Sequence, residues 1–114
     1  MLRGDTVEVE LPQAGSPGRE QSGRRPALVL HNDGSVNSSP VVMIVPFTSN
    51  LGALRFPHAV QIAPSACNGL TLPSVAMVFQ LRAIDRVRIV RQLGRLEDAF
   101  LQQIEREVKQ LLSL

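Results

Sequence analysis

Tryptophan and tyrosine are absent from this 114-residue chain, and phenylalanine occurs only four times. A surface that stacks single-stranded bases on many aromatic rings is therefore unavailable, and the core has to be aliphatic. Cysteine occurs once, at Cys67, so no internal disulfide can form. Within Ala66-Cys67-Asn68-Gly69 no activating base is evident, and Cys67 reads as a small packing residue. No charged-then-apolar leader opens the chain, and no apolar run approaches the ~20 residues of a spanning helix. A cytoplasmic protein with no membrane contact is expected. His31 and His58 lie far apart, and no Cys/His/Asp cluster, phosphate-cradling glycine loop or Ser/His/Asp set is visible. No metal and no cofactor are expected. The net charge of +2 is too small to argue for nucleic acid by itself. The cations are mostly arginine, however, whose planar fork of donors suits phosphate.

What is present is enough for one domain over residues 1–114, since 44% of the residues are hydrophobic. Val7, Val9 and Leu11 alternate with polar residues from Asp5 to Leu11, the period of a half-buried strand. Pro12 to Gly23 is rich in glycine, proline, serine and charge and reads as a long loop. Pro26–Leu30 predicts a short strand and Asn32–Pro40 a second polar loop. Val41–Phe47, apolar and β-branched, predicts a central strand buried on both faces. Ala59–Ile62 and Ser74–Leu81 predict two more strands, with one helical turn between them over Pro64–Leu70, and Ala83–Val90 continues extended. From Leu96 the period changes. Leu96, Phe100, Ile104, Val108 and Leu111 mark one face of a helix, for which Gly94 is the expected N-cap. Short strands followed by one terminal helix suggest a small closed sheet, mainly β with α.

Three stretches carry chemistry. In Gly18-Arg19-Glu20-Gln21-Ser22-Gly23-Arg24-Arg25-Pro26 a carboxylate, an amide and several guanidiniums precede a strand. On charge alone, a solvated loop and the wall of a cleft are equally open readings. Pro26 biases Arg25 toward extended backbone, giving its side chain a defined direction. In Val45-Pro46-Phe47-Thr48-Ser49-Asn50 an apolar strand ends in two hydroxyls, which commonly form turns. In Gln80-Leu81-Arg82-Ala83-Ile84-Asp85-Arg86, Arg82 and Asp85 are expected to form an ion pair.

Taken in order, these stretches resemble the MazF/PemK toxins of bacterial toxin–antitoxin pairs. The resemblance rests on Arg3-Gly4-Asp5, Glu20-Gln21-x-Gly23-x-Arg25-Pro26, and Asn32-Asp33 followed by Ser39-Pro40. It continues through the strand ending at Thr48-Ser49, Pro57-His58, and Gln80-x-Arg82-x-Ile84-Asp85-x-x-Arg88. It implies an SH3-like small barrel of the CcdB/PemK type with a C-terminal amphipathic helix, paired as a homodimer. It also implies a metal-independent endoribonuclease that cuts single-stranded RNA, usually mRNA, at short preferred sequences. The products would be a 2′,3′-cyclic phosphate and a 5′-hydroxyl, and a MazE-like antitoxin would neutralise the enzyme. The catalytic positions implied are Arg25, Thr48 and Glu20. Arg25 would stabilise the phosphorane, Thr48 would donate to the same phosphate, and Glu20 would take the 2′-proton. Arg19, Gln21, Arg24, Ser49 and Gln80 would contact RNA, with Arg19 and Arg24 steering the strand. The chain departs from the family at Arg19, often serine, at Thr6-Val7-Glu8, where an aromatic is usual, and at Phe79, where a glutamate is common. These departures bear on RNA sequence preference. The alternative is a CcdB-like toxin that is not an enzyme and binds a protein such as gyrase, because fold alone does not fix function.

Overall fold

The computed structural model describes residues 1–11 and 23–114, so most of the expected loop between Pro12 and Gly23 lies outside the described residues. The alternating segment forms strand β1 (Asp5–Leu11), with Val7, Val9 and Leu11 buried and Glu8 and Glu10 on the other face. There follow β2 (Gly23–Val29), β3 (Val41–Thr48), β4 (Ala59–Ile62), β5 (Ser74–Met77), β6 (Arg82–Asp85), β7 (Ile89–Arg95) and helix α1 (Asp98–Leu112). The strands make one antiparallel sheet in the order β4-β5-β3-β2-β1-β7, with β6 paired to β3. β3 is the pivot of this sheet. Val41–Ile44 lies beside β6, Ile44–Pro46 beside β2, and Phe47 and Thr48 beside β5.

The sheet curls until its last strand meets the turn that follows β4. There the Arg95 N–H donates to Cys67 O at 2.8 Å. Only glycine fits the crossing. A Cβ on Gly94 would lie 2.3 Å from Cys67 O, and one on Gly69, whose φ is +70°, would lie 2.2 Å from Leu93 O. Asn68, fully buried, ties this turn together. Its Oδ1 accepts from Ser65 and Leu70 N–H, and its Nδ2 donates to Ala63 O and to Glu97 Oε1. Every hydrogen-bonding group of that amide is satisfied, which is what makes its burial affordable.

Curling gives the sheet two apolar interiors. One holds Leu28, Val45, Phe47, Val60 and Ile62 under α1, which contributes Ile104 at 0% exposure. Burying that side chain stabilises the helix by about 1.5–3 kcal/mol. Phe100, Leu101, Val108 and Leu111 pack on the same cluster, so the helical stripe read from the sequence is the buried one. The other interior lies among Val7, Val9, Ala27, Val29, Val42 and Ile44. The opening triplet Arg3-Gly4-Asp5 acts as a clasp in this frame. Gly4 N–H donates to Val29 O and Gly4 O accepts from Leu96 N–H, both at 2.8 Å. Asp5 pairs with Arg95 at 3.2 Å, and Arg3 reaches Glu105 of α1 at 2.7 Å.

Four local expectations are corrected. Gly94 lies inside β7, and the N-cap of α1 is Glu97. Ser74–Leu81 is a strand only to Met77, after which Val78–Gln80 winds into a 3₁₀ turn that carries the chain from β5 to β6. Arg86–Arg88 likewise interrupts the expected extended run. The single helical turn expected over Pro64–Leu70 is present, as one bond of helical spacing from Gly69 N–H to Ser65 O. Arg82 and Asp85 do not pair. Three apart on a strand, they point to opposite faces, and Asp85 accepts from Val87 N–H instead.

Candidate active site

β2 begins at Gly23, whose φ of +78° is open to glycine, and runs antiparallel to β1 with Glu10 opposite Arg24, Val9 opposite Arg25 and Glu8 opposite Pro26. On its other side it pairs with β3 only from Ala27↔Pro46 to Val29↔Ile44. Pro26 and Pro46 meet where this ladder stops, and neither has an N–H to extend it. Past that point β3 turns to β5 and β2 stays with β1. A cavity of about 290 Å³ opens in the gap, walled by Arg24, Arg25 and Pro26 from β2, by Phe47 of β3 and by Ser49 just after it.

The β2–β3 register ends at Ala27↔Pro46, short of Arg25 and Thr48, and beyond it Thr48 pairs with Val75 of β5. The two side chains are placed differently. Arg25 is half-buried on the cavity wall, whereas Thr48 is 6% exposed and sits between two wall residues, Phe47 and Ser49. The Thr48 hydroxyl accepts from Asn50 N–H at 3.2 Å, and Asn50 in turn caps the 3₁₀ turn Leu51–Arg55 through Gly52 N–H. The hydroxyl proton has no acceptor among the described residues and remains available to donate.

The expected RNA-contacting residues divide. Arg24 and Ser49 line the cavity beside Arg25. Gln80 lines a separate hollow of about 320 Å³ with Phe79, Leu81 and Arg82. Phe79 packs against Phe56 with ring centroids 5.2 Å apart, and the Arg55 guanidinium lies 4.7 Å from the Phe56 ring. Arg19, Glu20 and Gln21 lie outside the described residues. Two charged wall residues escaped the sequence reading of the site. Glu8 of β1 and Arg91 of β7 face each other across a ladder that no spacing rule foretells. Glu8 Oε1 lies 3.8 Å from Arg24 Nη1 and 3.6 Å from Arg91 Nε. Among the described residues, three arginines therefore line a cavity with one carboxylate, a positive basin suited to an anionic ligand. Among the described residues no group of three or more His, Cys, Asp or Glu side chains is arranged to hold a metal ion. No helix among them is long and apolar enough to cross a membrane.

Residues 2–112 match the family described as PemK-like, MazF-like toxin of type II toxin–antitoxin system. The chain belongs to this toxin family. Within it, the chain is 32% identical over 119 residues to Endoribonuclease MazF9 of Mycobacterium tuberculosis, covering 100% of this chain and 98% of that protein. It is 30% identical over 113 residues to Endoribonuclease EndoA of Bacillus subtilis, covering 98% and 94% respectively. Among solved structures, MazF from Deinococcus radiodurans superposes with a TM-score of 0.82 at 24% identity, covering 100% of this chain and 97% of that one. A MazE–MazF complex from the same organism gives a TM-score of 0.79 at 25% identity, covering 100% and 96%. The expected architecture, a mainly β small barrel with a C-terminal helix, is thus that of solved MazF proteins.

Proposed function

We propose that this MazF-like toxin is an endoribonuclease that cuts single-stranded RNA, mRNA included, at preferred sequences without a metal ion. One observation carries the reading. At the parting of β2 and β3, Arg24, Arg25 and Ser49 line one cavity together with Arg91. The relatives named endoribonuclease support the same reaction. RNA supplies its own nucleophile, the 2′-hydroxyl. Attack on the neighbouring phosphorus forms a 2′,3′-cyclic phosphate and expels the 5′-oxygen, which leaves as a hydroxyl once protonated.

Arg25, permanently cationic, grips the non-bridging oxygens as negative charge grows on them, and its charge is worth most where water is thinned out. Thr48 donates its free proton to the same phosphate. Glu20 takes the 2′-proton, a role assigned from the family resemblance. Arg24 and Ser49 hold the strand, Arg19 steers it, and Gln21 and Gln80 contact bases. The cytoplasm is the expected compartment. A homodimer would cover apolar side chains left exposed in the single chain, such as Val87 at 81%. A cognate MazE-like antitoxin is the expected inhibitor, in keeping with the solved MazE–MazF complexes.

The test is to incubate the purified protein with single-stranded RNA in EDTA and to map the new 5′ ends. Cleavage at a short recurring sequence, with cyclic phosphates on the upstream fragments, is expected. Arg25→Ala should abolish it while the circular dichroism spectrum is retained. Intact RNA accompanied by stalled gyrase would replace this reading with the CcdB-like one.

A further inference from the structure

Glu8 is an odd partner for two arginines. Arg24 and Arg91 approach the same oxygen, Oε1, at 3.8 and 3.6 Å, well beyond the ~2.8 Å of a charge-assisted hydrogen bond. Neither guanidinium fork is engaged bidentately, and the arginine side chains are 62% and 65% exposed against 23% for Glu8. Ion pairs this open contribute little to stability, so folding does not account for the arrangement. Glu10, across from Arg24 on the same face, makes no ion pair with it among the described residues, so within the trio one carboxylate stands against two cations. The trio keeps a net positive charge, and most of its N–H donors are unspent. These residues come from three adjacent strands, β2, β1 and β7, whose backbones span about 10 Å in all at the usual strand spacing. They open onto the same cavity as Arg25.

We infer that Arg91, together with Arg24, forms a second phosphodiester subsite beside the one held by Arg25. This rests on the reading of the cavity as an RNA site. A strand that places its scissile phosphate at Arg25 lays a neighbouring phosphate between Arg24 and Arg91. Glu8 keeps the two forks apart and turned toward the cavity. The ligand is an RNA strand with at least one phosphate flanking the scissile one.

The experiment measures binding of a short, non-cleavable 2′-O-methyl oligoribonucleotide by fluorescence anisotropy across a salt series, with wild type, Arg91→Gln and Arg91→Lys. Arg91→Gln should weaken binding about fivefold at low salt, the size of one exposed charge contact. It should also flatten the slope of log K against log salt by about 0.7, the loss of one phosphate neutralised on a single strand. Arg91→Lys should restore the slope, which a merely structural role would not predict. With cleavable RNA, KM should rise for Arg91→Gln while kcat stays the same. An unchanged affinity and slope in Arg91→Gln would overturn the subsite. If the wild type cuts no RNA yet Arg91→Gln binds the oligonucleotide more weakly with the flatter slope, the nuclease reading fails and the subsite stands.

Discussion

Replacing Thr48 by valine is the sharpest probe of the proposed chemistry, because the change removes one hydroxyl and keeps the shape of a β-branched side chain. The stability effect can be worked out first. Thr48 is 6% exposed, and its hydroxyl accepts a single hydrogen bond, from the exposed Asn50. The Asn50 N–H can turn to water, so the loss should be near one ordinary hydrogen bond, about 1 kcal/mol. For a domain of this size that lowers Tm by about 4 °C. The catalytic effect should be far larger. If the hydroxyl donates to the phosphorane, its removal costs about 10²–10³-fold in kcat, the measured scale for one such donor. Expressed as a barrier, that is ~2.7–4 kcal/mol, several times the stability effect. The assay is single-turnover cleavage of a fluorophore- and quencher-labelled RNA in EDTA, alongside calorimetry. Thr48→Ser keeps the donor and should hold within about tenfold of wild type. A Thr48→Val protein with the modest Tm shift and a kcat within about threefold of wild type would refute the role of this hydroxyl.

Two further predictions concern the crossing that shapes the barrel. Gly94→Ala puts a Cβ 2.3 Å from Cys67 O, so the backbone must retreat and the Arg95–Cys67 hydrogen bond is lost. A destabilisation of at least ~3 kcal/mol is expected, and a Tm loss under about 4 °C by calorimetry would show that the contact is softer than drawn. Asn68→Asp replaces an amide that donates to Ala63 O and Glu97 Oε1 with an acceptor facing two acceptors. It should cost about 3 kcal/mol or more, seen as a lower urea midpoint at unchanged m; a midpoint equal to wild type would contradict the buried network.

The parts of this fold that were legible in the sequence are those set by local pattern. β1 and the stripe of α1 follow from periods of two and nearly four, because each element buries one face against the rest. Gly94 shows how a correct signal is attached to the wrong cause. A glycine before a helix suggests a cap, yet here it is required by a backbone passing 2.3 Å from where its Cβ would be. The run from Val75 to Phe79 is apolar throughout, and an apolar run does not say where a strand changes partners and winds into a turn. Charge pairs were the least legible. Arg82 and Asp85, close in sequence, ignore each other, while Arg3–Glu105 and Asp5–Arg95 join distant segments. Arg25 and Thr48 could be named from the family resemblance, but their different settings, one on the wall and one behind it, depend on where two prolines end a ladder. Arg91 and Glu8 needed the pairing of the first strand with the last.

One of those prolines has a further consequence, for errors in folding. Leu28 of β2 faces one interior while Ala27 and Val29 face the other. A strand with oil on both sides has no polar face to punish a slip by one residue. Pro46 supplies the missing punctuation: paired with Ala27 it sits where β2 needs no donor, and a slip by one residue would move it to a position where the neighbouring carbonyl goes unpaired. A chain that slipped nonetheless would still be compact and still be greasy inside. It would carry its guanidinium at position 25 on the wrong side of the sheet: folded by most measures, and harmless.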